Sequence, residues 1–138
     1  MTTMPGESMT QHAGSDGIGT SLSRNFTVRD NDTVGHLVPG MPMVAATAYL
    51  VTIAEMVCYE IARKLTEPGQ ITVGIRVEID HLGASKVGAV LVVNAALRAR
   101  ERNRFIFDVT VTDGGRTVAK IVHGRAAVSA QKMMATPG

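Results

Sequence analysis

Three side chains in this 138-residue sequence have the type and setting to move protons: Glu55, His81 and Thr47. Glu55 is the only acidic residue between Asp32 and Glu60, in a segment that is otherwise apolar on almost every side. Carboxylates are seldom enclosed without a partner or a purpose. The plainer reading places Glu55 on the one wet stripe of a helix, beside Thr52 and Tyr59. His81 ends a run of alternating residues, and its parity puts the imidazole at the end of the buried face. A core histidine is commonly structural; a carboxylate on the element packed against it makes this one an acid–base candidate. Asp80 points the other way, so it is not the orienting partner of His81. Thr47 opens the apolar segment, where threonine often caps a helix. Beside a base, its hydroxyl becomes a nucleophile or polarises water.

Other residues carry weaker signals. Cys58 lies one helical turn after Glu55 in apolar surroundings, the opposite of the electropositive setting a reactive thiolate needs, so it reads as packing. Gly74 interrupts a β-branched run and marks a bulge or a close approach of backbone to ligand. His123, Gly124 and Arg125 fall in the last strand; Arg125 either meets a phosphate or carboxylate or ends in solvent. His12 falls in the leader and His36 in a loop. No two histidines have metal-ligand spacing, and no metal site is expected.

The elements that must position these residues follow from periodicity. Leu22–Arg29 alternates loosely and reads as a first strand. Asp30-Asn31-Asp32 and Pro39-Gly40 are turn signals. From Met43 to Leu65 there is no Gly or Pro, and Leu50, Ile53, Ala54, Val57, Ile61 and Leu65 recur at steps of three and four, predicting a helix buried on most sides. After Gly69 the period becomes two. Ile71, Val73, Ile75, Val77 and Ile79 are expected to form one buried face. Val87–Arg98 reads as a central strand, apolar on both faces. Arg104–Thr112 follows a turn at Glu101–Asn103, and Asp113-Gly114-Gly115 leads into a last strand, Arg116–Val128. The order is strand, helix, four strands, with short connections that imply antiparallel pairing. One helix cannot cover both faces of a five-stranded sheet, so a homodimer is expected to shield the remaining face or edge.

Composition excludes several classes. Apolar residues are 45% and charged residues 19%, as in a folded domain. The net charge of +2 is scattered and aromatics are only 4%, so neither nucleic acid nor a stacking platform is indicated. No apolar run is long enough to span a bilayer, and the first twenty residues do not read as a secretory signal. Cys58 stands alone, so no intrachain disulfide forms and a reducing, cytoplasmic setting fits. Residues 1–20 are expected to be a flexible leader, 21–133 a single domain and 134–138 a flexible tail.

The segments MVAATAYLVTIAEMVCYEIARKL and PGQITVGIRVEIDHLGASKVG resemble the hot-dog-fold thioesterases related to fluoroacetyl-CoA thioesterase. FTVRDNDTVGHLVPG upstream and KIVHGRAAVSAQKM downstream are similar to the same family, so the likeness spans roughly Leu22 to Met133. Its catalytic set is a threonine, a glutamate eight residues later and a histidine twenty-six beyond that. Thr47, Glu55 and His81 match both intervals. The resemblance further implies that Gly74 offers its backbone near the thioester and that Arg125 lies near the acyl group. It implies an α+β fold, an antiparallel five-stranded sheet wrapped around one long central helix, acting as a homodimer, or as a tetramer of two such dimers, on acyl-CoA without a cofactor. Phenylalanines mark the lid of the fluoroacetyl-specific members. Between Asp30 and Thr47 this chain has none, and Val38, Met41 and Met43 stand there, implying a different or broader acyl group. A non-catalytic hot-dog protein binding an acyl or aromatic ligand is the alternative, and a lyase or hydratase on the same fold ranks below both.

Lengths place one constraint on such a site. Glu55 lies about 20 Å along the helix from the Gly69 turn. His81 lies about 40 Å along a straight strand from the same turn. Either the strand curls strongly, or His81 meets Glu55 of a second subunit; the expectation is a site at the dimer interface.

Overall fold

The computed structural model describes residues 8–10 and 16–135. The strands β1 (Ser8–Thr10), β2 (Ser21–Thr27), β3 (Gln70–His81), β4 (Val90–Glu101), β5 (Arg104–Asp113) and β6 (Arg116–Ser129) form one antiparallel sheet in the order β1-β2-β4-β5-β6-β3. A short helix α1 (Val34–Leu37), the long helix α2 (Thr47–Ala62) and a terminal turn of helix α3 (Ala130–Ala135) complete the chain. Strand, helix and four strands follow one another as the periodicity predicts. The additions are β1, which lies in the stretch expected as leader, and α3, which takes in Met134 and Ala135 of the expected tail. The rest of both terminal expectations (1–7, 11–15, 136–138) lies outside the described residues.

Tight turns force the antiparallel order. Gly114 and Gly115, both at positive φ, close the two-residue loop between Asp113 and Arg116, a conformation that glycine adopts at no steric cost. The sheet curls around α2. Leu50, Ile53, Val57 and Ile61 on the helix meet Leu91, Val93 and Leu97 of β4, Phe105, Phe107 and Val111 of β5, and Val118 and Ile121 of β6 in one buried core. Each such side chain contributes about 1.5–3 kcal/mol by leaving water.

Three expectations are corrected. The helix begins at Thr47, four residues after the expected Met43, because Val44 bridges to Lys86 and Val34 N–H donates to the Val44 carbonyl. These bonds make Val38–Val44 the return arm of a lid. The helix is buried on fewer sides than expected and has the wet stripe of the plainer reading: Thr52, Met56 and Tyr59 are exposed, with Met56 52% exposed. β4 is central, between β2 and β5, but its burial alternates and Asn94 faces solvent, so it is not apolar on both faces.

The face of the sheet turned away from α2 is mostly polar, with Ile106 as an exposed apolar residue on it. It carries Glu78, Asp80, Thr110 and Lys120 around one shallow groove, and an Arg98–Asp108 ion pair at 3.5 Å. The edge is different. Among the described residues β3 has a paired neighbour only on the β6 side, and Gly74 through Glu78 are all exposed, Ile75 at 48% and Val77 at 37%. Unpaired apolar edges of that kind are templates for another strand. Among the described residues no helix is long and apolar enough to cross a membrane.

Candidate functional site

β3 does not keep one phase. Its register against β6 slips between Gly74 and Arg76, a β-bulge. Before the slip, the helix-facing residues are even-numbered: Thr72 is buried, and a Cβ on Gly74 would point at Glu55. After it they are odd-numbered, ending with His81. The single buried face from Ile71 to Ile79 is therefore not formed, and His81 is an exposed side chain at the rim rather than a core residue.

His81 meets Thr47. Thr47 Oγ1 lies 2.8 Å from His81 Nδ1, bridging the end of β3 to the first turn of α2. Thr47 follows the N-cap residue Ala46, and no side-chain bond caps the helix there, so its hydroxyl serves the imidazole. Of the two routes that the lengths allow, the strand takes the curled one, which brings His81 back to Thr47 of its own chain.

Glu55 is not part of that pair. Eight residues of helix separate it from Thr47, about 12 Å along the axis. It sits on the exposed stripe, its side chain 41% accessible, yet it is engaged. Arg125 Nη1–H donates to Glu55 Oε2 at 3.4 Å, and His123 Nε2 lies 3.8 Å from the same oxygen. Arg125 is anchored from behind, donating from Nε to Thr72 Oγ1 at 2.9 Å and from Nη2 to the Thr72 carbonyl at 2.8 Å. Its guanidinium also lies over the Tyr59 ring, 5.7 Å from the centroid. Burial lowers the pKa of Arg125, and the Glu55 carboxylate works against that shift. Of the two sequence readings for Arg125, the structure selects the carboxylate partner.

Gly74 is what lets Glu55 lie there. A Cβ at Gly74 would come 2.5 Å from Glu55 Oε2 and 3.2 Å from His123 Cε1. Beside this cluster runs an open cleft of about 700 Å³, lined by Glu55, Arg125, Met56 and Tyr59 with Arg24, Phe26 and Arg63. Val38 and Met41 are exposed on the lid that leads into Thr47, not in this cleft. Cys58 is buried in the core, and burial pushes its thiol well above the ordinary range, consistent with a packing role.

Sequence reasoning named His123 without giving it a role, and missed Thr72. The available signal was spacing: His123 and Arg125 are two apart on a strand and so share a face. His123 is fully buried, and burial holds its pKa below the ordinary histidine value. Arg125 adds to that shift; the Arg76 carbonyl and Glu55 oppose it. The unfolded chain therefore binds this proton first as pH falls. Stability should be flat above about pH 6.5 and decline below it, toward the lower folded pKa. Melting temperatures from pH 8 to 5 test this, and the decline should be shallower in His123→Gln.

The model of the fluoroacetyl-CoA-specific thioesterase family matches residues 28–131, three-quarters of the chain. The chain belongs to that family. Within the fluoroacetyl-CoA-specific thioesterase family, its relative the fluoroacetyl-CoA thioesterase of Streptantibioticus cattleyicolor is 29% identical over 124 residues, covering 86% of this chain and 89% of that protein. A variant of the fluoroacetyl-CoA-specific thioesterase FlK, in complex with fluoroacetate and CoA, superposes with a TM-score of 0.76 at 29% identity, over 84% of this chain and 98% of that one. A hot-dog-like protein from Thermanaerovibrio acidaminovorans superposes at 0.81 with 22% identity, over 87% and 89% of the two chains, a likeness of fold alone. The α+β hot-dog architecture expected from the motifs is thus the observed one.

Proposed function

We propose that this protein hydrolyses a small acyl-CoA thioester to the free acid and CoA, in a site completed by two copies of the chain. The observation that carries this reading is the division of the matched residues. Thr47 and His81 form a pair, and Glu55, Gly74 and Arg125 form a cluster of three about 12 Å away along α2.

A second copy closes that gap. Two exposed β3 edges pairing antiparallel about a two-fold axis at Glu78 set Val77 opposite Ile79 and Arg76 opposite Asp80, and bring His81 of one copy opposite the bulged Gly74–Ile75 step of the other. Neighbouring strands lie about 5 Å apart, and residues directly opposite point to the same side. The imidazole of one copy then stands beside the carboxylate of the other, over the cleft. The polar outer face of the sheet supports two copies rather than four.

In such a site His81 takes a proton from water or from the Thr47 hydroxyl. Glu55 supplies the negative charge, as nucleophile toward the acyl carbon or as partner of the attacking water. The C–S bond breaks, the oxygen of water ends in the acid, and a proton goes to the CoA sulfur. Arg125 and the Gly74 backbone lie where the acyl group would sit, with Val38 and Met41 on the lid above Thr47. No step calls for a cofactor. The FlK complex with fluoroacetate and CoA supports the substrate class, and the lid without phenylalanine favours a broader acyl range. A lyase using Asp80 with His81 gains no support, because Asp80 lies on the outer face. A cytoplasmic setting belongs to the same reading, supported by the lone, buried Cys58.

Thiol release from a panel of short acyl-CoAs tests the proposal. Turnover of at least one member is expected. If none turns over while one raises the melting temperature, the protein is a binder and the hydrolase reading falls.

A further inference from the structure

The ring of His123 is buried, and both of its nitrogens are committed. Nδ1 lies 2.8 Å from the Arg76 carbonyl, which only accepts, so Nδ1 must carry hydrogen. Nε2 lies 3.2 Å from Arg125 Nη1, which only donates, so Nε2 must present its lone pair. The two neighbours together specify one tautomer of a neutral imidazole. A second proton would set two donors against each other and leave Nε2–H facing Glu55 Oε2, 3.8 Å away.

The rest of the guanidinium is fixed by Thr72, through Nε and Nη2. Nη1 is the corner left to choose a direction, and it is the corner that touches Glu55. We propose that His123 is a positioning residue: as the Nδ1–H tautomer it fixes Arg125 Nη1 between its own lone pair and the Glu55 carboxylate. From β6, His123 also holds the Arg76 carbonyl in the bulged segment of β3, so the strand, the guanidinium and the carboxylate are set as one unit. An apolar residue of the same shape would leave the carbonyl and Nη1 each short of a partner. The part this plays in turnover rests on the hydrolase reading above; the tautomer does not.

Three variants of the full-length chain separate the two nitrogens. The His123→Gln amide oxygen reaches the place of Nε2 and restores the acceptor for Arg125. His123→Asn reaches only the place of Nδ1, and His123→Phe replaces neither. With the acyl-CoA that the wild type turns over best, kcat should stay within about 3-fold for Gln and fall about 10- to 100-fold for Asn and Phe, with KM little changed. Nitrogen-15 imidazole shifts of the wild type at pH 7 should report a neutral ring protonated at Nδ1.

Wild-type kcat in His123→Phe, or Gln no better than Phe, overturns the positioning role. An Nε2–H or doubly protonated ring overturns the tautomer, and with it the proposal. A wild type inactive on every acyl-CoA sinks the hydrolase reading instead, and the spectrum then decides the proposal by itself.

Discussion

Mixing inactive Glu55→Ala and His81→Ala chains, with exchange of subunits, is expected to restore about a quarter of wild-type turnover. Each substitution alone should lower kcat/KM about 10³-fold, since each removes a group that handles charge or a proton in the reaction. In a site built by two copies, a mixed dimer has one site carrying both defects and one carrying neither. Random exchange makes half the dimers mixed, which gives the expected recovery. A site contained within one chain would recover nothing, because every chain carries a defect. Glu55 faces Arg125 and His81 faces Thr47, with two turns of helix between them, so recovery is the outcome the geometry favours.

Gly74→Ala should cost about 100-fold or more in kcat while leaving the fold nearly as stable. The new methyl would stand 2.5 Å from Glu55 Oε2, the far end of a flexible and partly exposed side chain. The carboxylate can swing into the cleft at little cost, so the melting temperature should fall by only a few degrees. The contact to His123 Cε1 at 3.2 Å asks for a shift of a few tenths of an ångström. What is lost is the placement of the acid against Arg125. Steady-state kinetics beside thermal melts check the pairing of outcomes. A variant that keeps full activity would mean that Glu55 does not work from this position, and one that unfolds would mean that Gly74 serves the fold.

Much of this molecule could be read from residue types alone. The apolar steps from Leu50 to Ile61 specify the helix, and the glycines at 114 and 115 specify the last hairpin, because each is a local constraint. The intervals from Thr47 to Glu55 to His81 single out side chains that the fold engages, Thr47 with His81 and Glu55 with Arg125. What alternation could not supply was the phase of β3. Its odd residues are uniformly β-branched from Ile71 to Ile79, so the pattern looked unbroken, and only pairing with β6 reveals the extra residue. His81 was assigned the helix side correctly, though from an alternation that β3 does not keep, and it was expected to be buried. The roles of His123 and Thr72 were hidden for another reason: their partners are tens of residues away, and a hydrogen bond across a sheet leaves no mark on local composition.

The extra residue in β3 changes what one strand can offer. Strict two-residue alternation would send position 74 and position 81 to opposite sides of the layer. With one added step, both ends of the same ribbon present themselves inward, seven residues apart. A single segment is thereby equipped to hold its own chain's acid at one end while lending an imidazole to a neighbour at the other. Regular pairing of the same residues, with no bulge, would leave every residue in place and turn the imidazole out into bulk water.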